Sequence, residues 1–376
     1  MNKKVLGGLA AVAAIAVGVG VVVNNGGSSA TADCAEYKLI FQGGITGDAA
    51  QTGIGEYNGF KFALKKFQDA NPDIKVVGDV IDTQADPAQS PALATSTVKD
   101  ACVLGVVGGM YSGETRAALP IYLAAGLPVI SPSATAVDLP DSGKEVFHRI
   151  VANDDVQGPA LATLAQKYGE KIFVVDDSST YGKGLADIVR STLGDKLVGS
   201  DAVTTGATNF SSIVSKIERA GATVVFYGGY YPEASKFVKQ LLTNSATKNV
   251  KFLGGDGVLD NEYIKLAGKY SEGTSFTAPY QPMADVDAAL AAEYEAFTGV
   301  APAVYTLEAY NAASFFLEGI KQGKTTRESL NEFVSTTAFE AVGQTVEFDS
   351  TGEPTIKVMN EFTVKDGAIA FVGAIK

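Results

Sequence analysis

Short apolar runs of four to seven residues, rich in Val, Ile and Phe, recur along this chain at intervals filled by amphipathic stretches of helical period. Lys38 to Gln42, Ile74 to Val80, Val103 to Val107 and Leu127 to Ile130 read as strands. Between the first two, Glu56 to Ala70 reads as a helix with Phe60, Ala63, Leu64 and Phe67 on one face. The rhythm restarts near Gln157. The strand "KIFVV" precedes a helix with Leu185, Ile188, Val189 and Leu193 on its apolar face. "LVGSDAV", a helix over Ser211 to Ala220, "ATVVF", a helix over Glu233 to Thr243 and "VKFLG" follow. Strand–helix alternation predicts parallel sheets covered by helices on both faces, and two runs of it predict two such lobes. Helices return at Ala288 to Phe297 and Tyr305 to Lys321. The strand-rich end then carries "TVEFD", "IKVMNEFTV" and "AIAFVGA", so the chain is expected to cross between lobes more than once.

The first 33 residues break this pattern. "MNKK" is basic, Val5 to Val23 is uncharged and apolar, and "NNGGSSATA" ends in Ala30-Thr31-Ala32. That order is a basic n-region, an apolar h-region and a cleavage-like site. The apolar run is also close to the minimum for a bilayer span. Residues 1–33 are therefore read as a signal peptide or an N-terminal membrane anchor plus linker, which places the rest outside the cytoplasm. Export permits a disulfide between the two cysteines, Cys34 and Cys102. Each immediately precedes an apolar run. If the two runs are neighbouring parallel strands, a bridge between them closes a long loop, worth roughly 4 kcal/mol in the chain-entropy view.

Composition removes several function classes. Of 376 residues, 46% are hydrophobic and 19% charged, enough for a large core, and the net charge is −12. No basic stripe is present, which argues against nucleic acid as a partner. His148, in "VFHRI", is the one histidine, so it is read as a packed structural residue, and His-rich metal sites or Ser-His-Asp machinery are disfavoured. "GMYSG" places Tyr111 rather than Ser112 at the centre of a would-be nucleophile elbow. "GIGEYNG" misses the dinucleotide fingerprint by one residue, and tight helix packing explains it equally well. No cofactor and no metal are implied.

In parallel sheets, ligands meet the carboxyl ends of strands. Those ends lead here into "GGITGDAAQTGIGEYNG", "MYSGETR", "SPSATAVDL", "DDSSTYGKG", "YGGYYPE" and "GDGVLD". Ser112, Ser133 and Thr135 in the first half offer hydroxyls beside helix starts, suited to an anion. Asp256 in the second half suits a cation, and Tyr181 and Tyr230 suit an apolar wall. A carboxylate, an ammonium and a side chain together describe an amino acid. Each residue also has a plainer reading, as a helix cap, a turn residue or a packed aromatic.

At these loops the sequence resembles the branched-chain amino acid binding proteins of ABC transporters, of the type I periplasmic-binding fold. The likeness covers about residues 37 to 376. "GGMYSGET", "GLPVISPSAT", "FHRIVANDDVQGPALA", "VVDDSSTYGKGLAD", "VFYGGYYPEA" and "FLGGDGV" carry it, in the family's order. The resemblance implies an α/β fold of two doubly wound parallel-sheet lobes joined by a three-strand hinge. It implies 34–153 with 282–351 as one lobe and 154–281 with 352–376 as the other. It also implies a ligand site of Ser112, Ser133, Thr135, Tyr181, Tyr230, Asp256 and Tyr305, with Thr52 where the family carries a pocket tyrosine. The implied function is capture of an α-amino acid, leucine, isoleucine or valine first, for delivery to an ABC permease, without covalent chemistry. A sensor of the same fold, or a binder of another amino acid or a small amide, is the alternative.

Overall fold

The computed structural model describes residues 34–375. The segment read as a signal or anchor lies outside them. Among the described residues no helix is long and apolar enough to cross a membrane.

Two sheets organise the chain. The first contains β1 (Tyr37–Gly43), β2 (Val76–Asp82), β3 (Val103–Gly108), β4 (Val129–Ser131) and β5 (Phe147–Arg149), in the spatial order β2-β1-β3-β4-β5. Every pairing in it is parallel. The second begins with β6 (Ile172–Asp176), β7 (Leu197–Ala202), β8 (Val224–Gly228), β9 (Lys251–Gly254) and β10 (Ser275–Ala278), also parallel to one another. After a small hairpin of β11 (Phe339–Ala341) and β12 (Gln344–Val346), the chain returns with β13 (Asn360–Lys365) and β14 (Ala368–Ala374). These complete the order β14-β13-β10-β9-β8-β6-β7.

The two final strands depart from the all-parallel expectation: β13 runs antiparallel to β10, and β14 to β13. The reason is local. Asp366 and Gly367 both take positive φ, 54° and 74°, as a tight two-residue hairpin requires, and a hairpin makes antiparallel neighbours. β14 is also the half-exposed edge of its sheet, where no covering helix is needed.

The strands form because their β-branched runs are buried on both faces. All six residues of β3 and all five of β8 are buried. Fully burying such a side chain contributes about 1.5–3 kcal/mol. The Ser211–Ala220 helix buries Ile213, Val214 and Ile217, one stripe at helical spacing. The helix expected from Glu56 instead begins six residues earlier, as Ala50–Ala70. Gly53 and Gly55 lower its intrinsic propensity, and its first turn carries no capping side chain, so sequence hid the start. Tertiary packing supplies what propensity lacks. This helix lies so close to the Thr306–Lys321 helix that a Cβ at Gly59 would sit 2.2 Å from the Thr306 carbonyl oxygen. The "GIGEYNG" stretch is thus the interior of a packed helix.

The chain crosses over three times: from β5 to the second sheet, after β10 back to helices of which Thr306–Lys321 packs on Ala50–Ala70, and from β12 to β13. His148 in β5 is buried, with Nε2 3.0 Å from Ser335 Oγ. Burial pushes its imidazole down to about 4. At the third connection Gly352 and Glu353 stay beside β5. Arg149 is fully buried and its guanidinium pairs with the Glu353 carboxylate. Its Nη1 also donates to the carbonyls of Ala134 and Ala136 at 3.0 and 2.8 Å. At the opposite end of the first sheet, Cys34 and Cys102 are joined in a disulfide, where β1 and β3 start side by side.

Candidate functional site

Residues at the carboxyl ends of strands from both sheets converge on one small chamber. All eight residues singled out as ligand candidates line it: Thr52, Ser112, Ser133, Thr135, Tyr181, Tyr230, Asp256 and Tyr305. Glu56, Met110, Tyr111 and Gly257 also line it, and sequence reasoning missed all four. Two signals pointed to some of them. Glu56 stands four residues after Thr52, hence on the same helix face, and Tyr111 adjoins Ser112 at a strand end.

On the first sheet's side, β3 ends in a turn that delivers Ser112 to the first position of the Ser112–Ala124 helix. Glu114 fixes this turn by accepting from the backbone N–H groups of Met110 and Tyr111, each at 3.0 Å, and from the Thr83 hydroxyl. Ser112, the first residue of this helix, lines the chamber, so the helix's positive dipole end lies at its wall. The three hydroxyls there are not equivalent. Ser112 Oγ accepts from Ala136 N at 3.1 Å, leaving its own proton to donate. Thr135 Oγ1 is buried and bonds to no protein group. Ser133 Oγ donates its proton to the Met110 carbonyl at 3.0 Å, so it meets a ligand only as an acceptor.

On the second sheet's side, β9 ends just before Asp256, whose carboxylate is gripped from two directions. Tyr181 OH donates to Oδ1 at 2.7 Å and Tyr305 OH to Oδ2 at 2.9 Å. Burial pushes this carboxyl above its ordinary range, and the phenols pull it back. Tyr305 comes from the helix that packs on the first lobe. It holds φ +61°, a costly conformation for an aromatic residue, and one that functional sites tend to keep. Tyr230 stands between Tyr111 and Tyr181, with ring centroids 4.8 and 5.3 Å away. Tyr111 and Tyr230 also border a larger outer cavity, so the two rings separate the chamber from the cleft mouth.

Several contacts reach across the cleft. Besides Tyr305–Asp256, Thr52 Oγ1 donates to Asp260 Oδ2 at 3.0 Å, and Tyr231 OH donates to the Asp48 carbonyl at 3.0 Å. The structure is that of a closed cleft.

The acids behind the chamber set a pH dependence. Asp154 is buried, with the Thr135 hydroxyl beside it but no well-aligned hydrogen bond on either carboxyl oxygen. Burial first, and Asp256 second, push it up to about 8. The folded protein then holds a proton that the unfolded chain releases near pH 4. This contribution to stability is complete below pH 4 and is lost as pH rises toward and through 8. Glu308, pushed up to about 8 by burial, acts with the same sign, whereas His148 acts with the opposite sign between about 4 and 6.5. Thermal unfolding followed from pH 6 to pH 9 is expected to show a falling midpoint, and Asp154→Asn should flatten the fall. An unchanged slope in the variant would rule this account out.

Residues 41–368 match the periplasmic binding protein family. The chain is 31% identical over 325 residues to the leucine-, isoleucine-, valine-, threonine- and alanine-binding protein of Pseudomonas aeruginosa, covering 84% of this chain and 86% of that one. Its fold is similar to that of the substrate binding protein LivJ of the branched-chain amino acid transporter from Streptococcus pneumoniae, solved with isoleucine. There the TM-score is 0.82 at 24% identity, over 90% of this chain and 99% of that one. It is similar as well to a benzoate-bound ABC transporter solute binding protein from R. palustris, with TM-score 0.80 at 18% identity, over 90% and 96% of the two chains. Arrived at from the closed chamber between two sheets and from these likenesses together, the chain belongs to the periplasmic binding protein family, a family of solute-binding proteins rather than enzymes.

Proposed function

We propose that this protein is the extracytoplasmic receptor of an ABC importer and that it closes its two lobes on an α-amino acid. One lobe comprises 34–153 with 282–351, the other 154–281 with 352–376. One observation carries the reading: the chamber has two chemically opposite ends. A helix N-terminus with the Ser112 and Thr135 hydroxyls suits a carboxylate, and the Asp256 carboxylate, oriented by two phenols, suits an ammonium. Each end belongs to a different lobe, so a zwitterion interacts fully only with the closed form. That difference is what drives a population toward closure.

The N-terminal segment would export the protein and either be removed or tether it near its permease partner. The Cys34–Cys102 disulfide suits an oxidising compartment. The relatives' ligands favour leucine, isoleucine and valine as first candidates.

Calorimetric titration with a panel of amino acids, small amides and aromatic carboxylates tests the reading. An α-amino acid at 100 times its dissociation constant should also stabilise the fold by about 2.7 kcal/mol, and small-angle scattering should show contraction of any open fraction. Binding of amides or aromatic acids with no response to any amino acid would overturn it.

A further inference from the structure

Glu56 is completely buried and lines the chamber; the Ser133 hydroxyl lies beside it but gives its proton to the Met110 carbonyl, so neither carboxyl oxygen of Glu56 receives a well-aligned hydrogen bond from a described residue. The other acid in the chamber wall, Asp256, takes one phenol on each oxygen and keeps its remaining lone pairs for an ammonium. No Lys, Arg or His lines the chamber among the described residues. Thr52 lies one helical turn before Glu56 and bonds across the cleft to Asp260. The pair makes the wall formed by the Ala50–Ala70 helix polar. Burial pushes the Glu56 carboxyl well above its ordinary range, yet in either protonation state it must find a hydrogen-bond partner or remain costly.

Resting on the amino acid reading above, we propose that Glu56 determines specificity by accepting a hydrogen bond from the ligand's side chain. Within the amino acid class the relatives point to, this moves the preferred ligand from aliphatic leucine, isoleucine and valine to an α-amino acid whose side chain ends in a donor, a hydroxyl or an amide. With the α-carboxylate at Ser112 and Thr135 and the ammonium at Asp256, the side chain is left the Thr52–Glu56 wall. An aliphatic end would leave Glu56 buried and unmet. A site built to bond a polar group rejects the analogue lacking it far more strongly than an apolar pocket rejects a missing methylene.

The test compares near-isosteric pairs by calorimetry: threonine with valine, and glutamine with methionine, on wild type, Glu56→Gln and Glu56→Leu. Wild type is expected to bind the donor-bearing member of at least one pair tenfold or more tighter. Glu56→Leu should erase or invert that preference while melting at or above the wild-type temperature, because it removes an unpartnered buried carboxyl. Glu56→Gln, which keeps an acceptor, should retain part of the preference and serves if the leucine variant does not fold. Aliphatic members binding as well or better in wild type would overturn the assignment. So would a preference that neither variant changes, since Glu56 would then be a structural acid. Failure of every amino acid to bind would overturn the amino acid reading itself and this assignment with it.

Discussion

Asp256→Asn is expected to abolish tight amino acid binding while leaving the protein folded. The carboxylate stands at the end of β9, buried, with Tyr181 and Tyr305 donating to its two oxygens. Those bonds orient the charge toward the chamber. They also tie the carboxylate to both lobes, since Tyr305 comes from the helix packed against Ala50–Ala70. An amide keeps the shape but removes the charge and turns one acceptor into a donor facing a phenol. An ammonium enclosed there loses its counter-charge, and removing one partner of a buried pair costs about 3–5 kcal/mol. In affinity that is a loss of roughly 100-fold to several thousand-fold. Calorimetric titration with the tightest amino acid of the panel, beside thermal melting of the same variant, measures both halves of the expectation. Binding within a few-fold of wild type would show that the ammonium is held elsewhere. A large drop in melting temperature with affinity intact would make Asp256 a structural turn residue.

Arg149→Met should lower the unfolding free energy by about 3–5 kcal/mol, because it leaves the Glu353 carboxylate buried and unpaired. Two further losses accompany it. The Ala134 and Ala136 carbonyls lose their donor, and they flank Thr135 in the loop that offers its hydroxyl to the ligand. Affinity should therefore fall along with stability. Chemical denaturation of Arg149→Met and of the double variant with Glu353→Leu separates the causes. The double variant should recover much of the stability, since an apolar pair replaces an ion pair at little cost, but not the loop geometry. If the single variant unfolds within 1 kcal/mol of wild type, the ion pair does not hold the third connection to β5.

Much of the fold was legible because burial leaves a periodic mark. Strands such as β3 and β8 are apolar throughout since helices cover both their faces. Helices such as Ser211–Ala220 repeat apolar residues at three and four because only one face is covered. The ligand candidates were legible for a related reason: parallel sheets direct strand ends into loops, and reading those loops gathers residues far apart in sequence. What misled the reading was the Ala50–Ala70 helix. Its glycines, chosen for close backbone approach, look like a loop, and Glu56 was taken as the helix start rather than as part of a chamber wall.

By itself, then, the sequence determined the alternating α/β plan, two lobes' worth of strands, the loops that face the cleft, and six loop residues that do line one chamber, to which the family resemblance added Thr52 and Tyr305. Tertiary structure alone decided which groups in that chamber are free to act. Ser133 donates to Met110, Thr135 bonds to no protein group, Asp256 is shared between two tyrosines, and Glu56 is left unmatched. The physical reason is the range of the interactions. Periodicity records how a residue meets solvent, which its near neighbours largely set. A hydrogen-bond partner is chosen by distance in space, and here partners lie 23 to 208 positions apart along the chain.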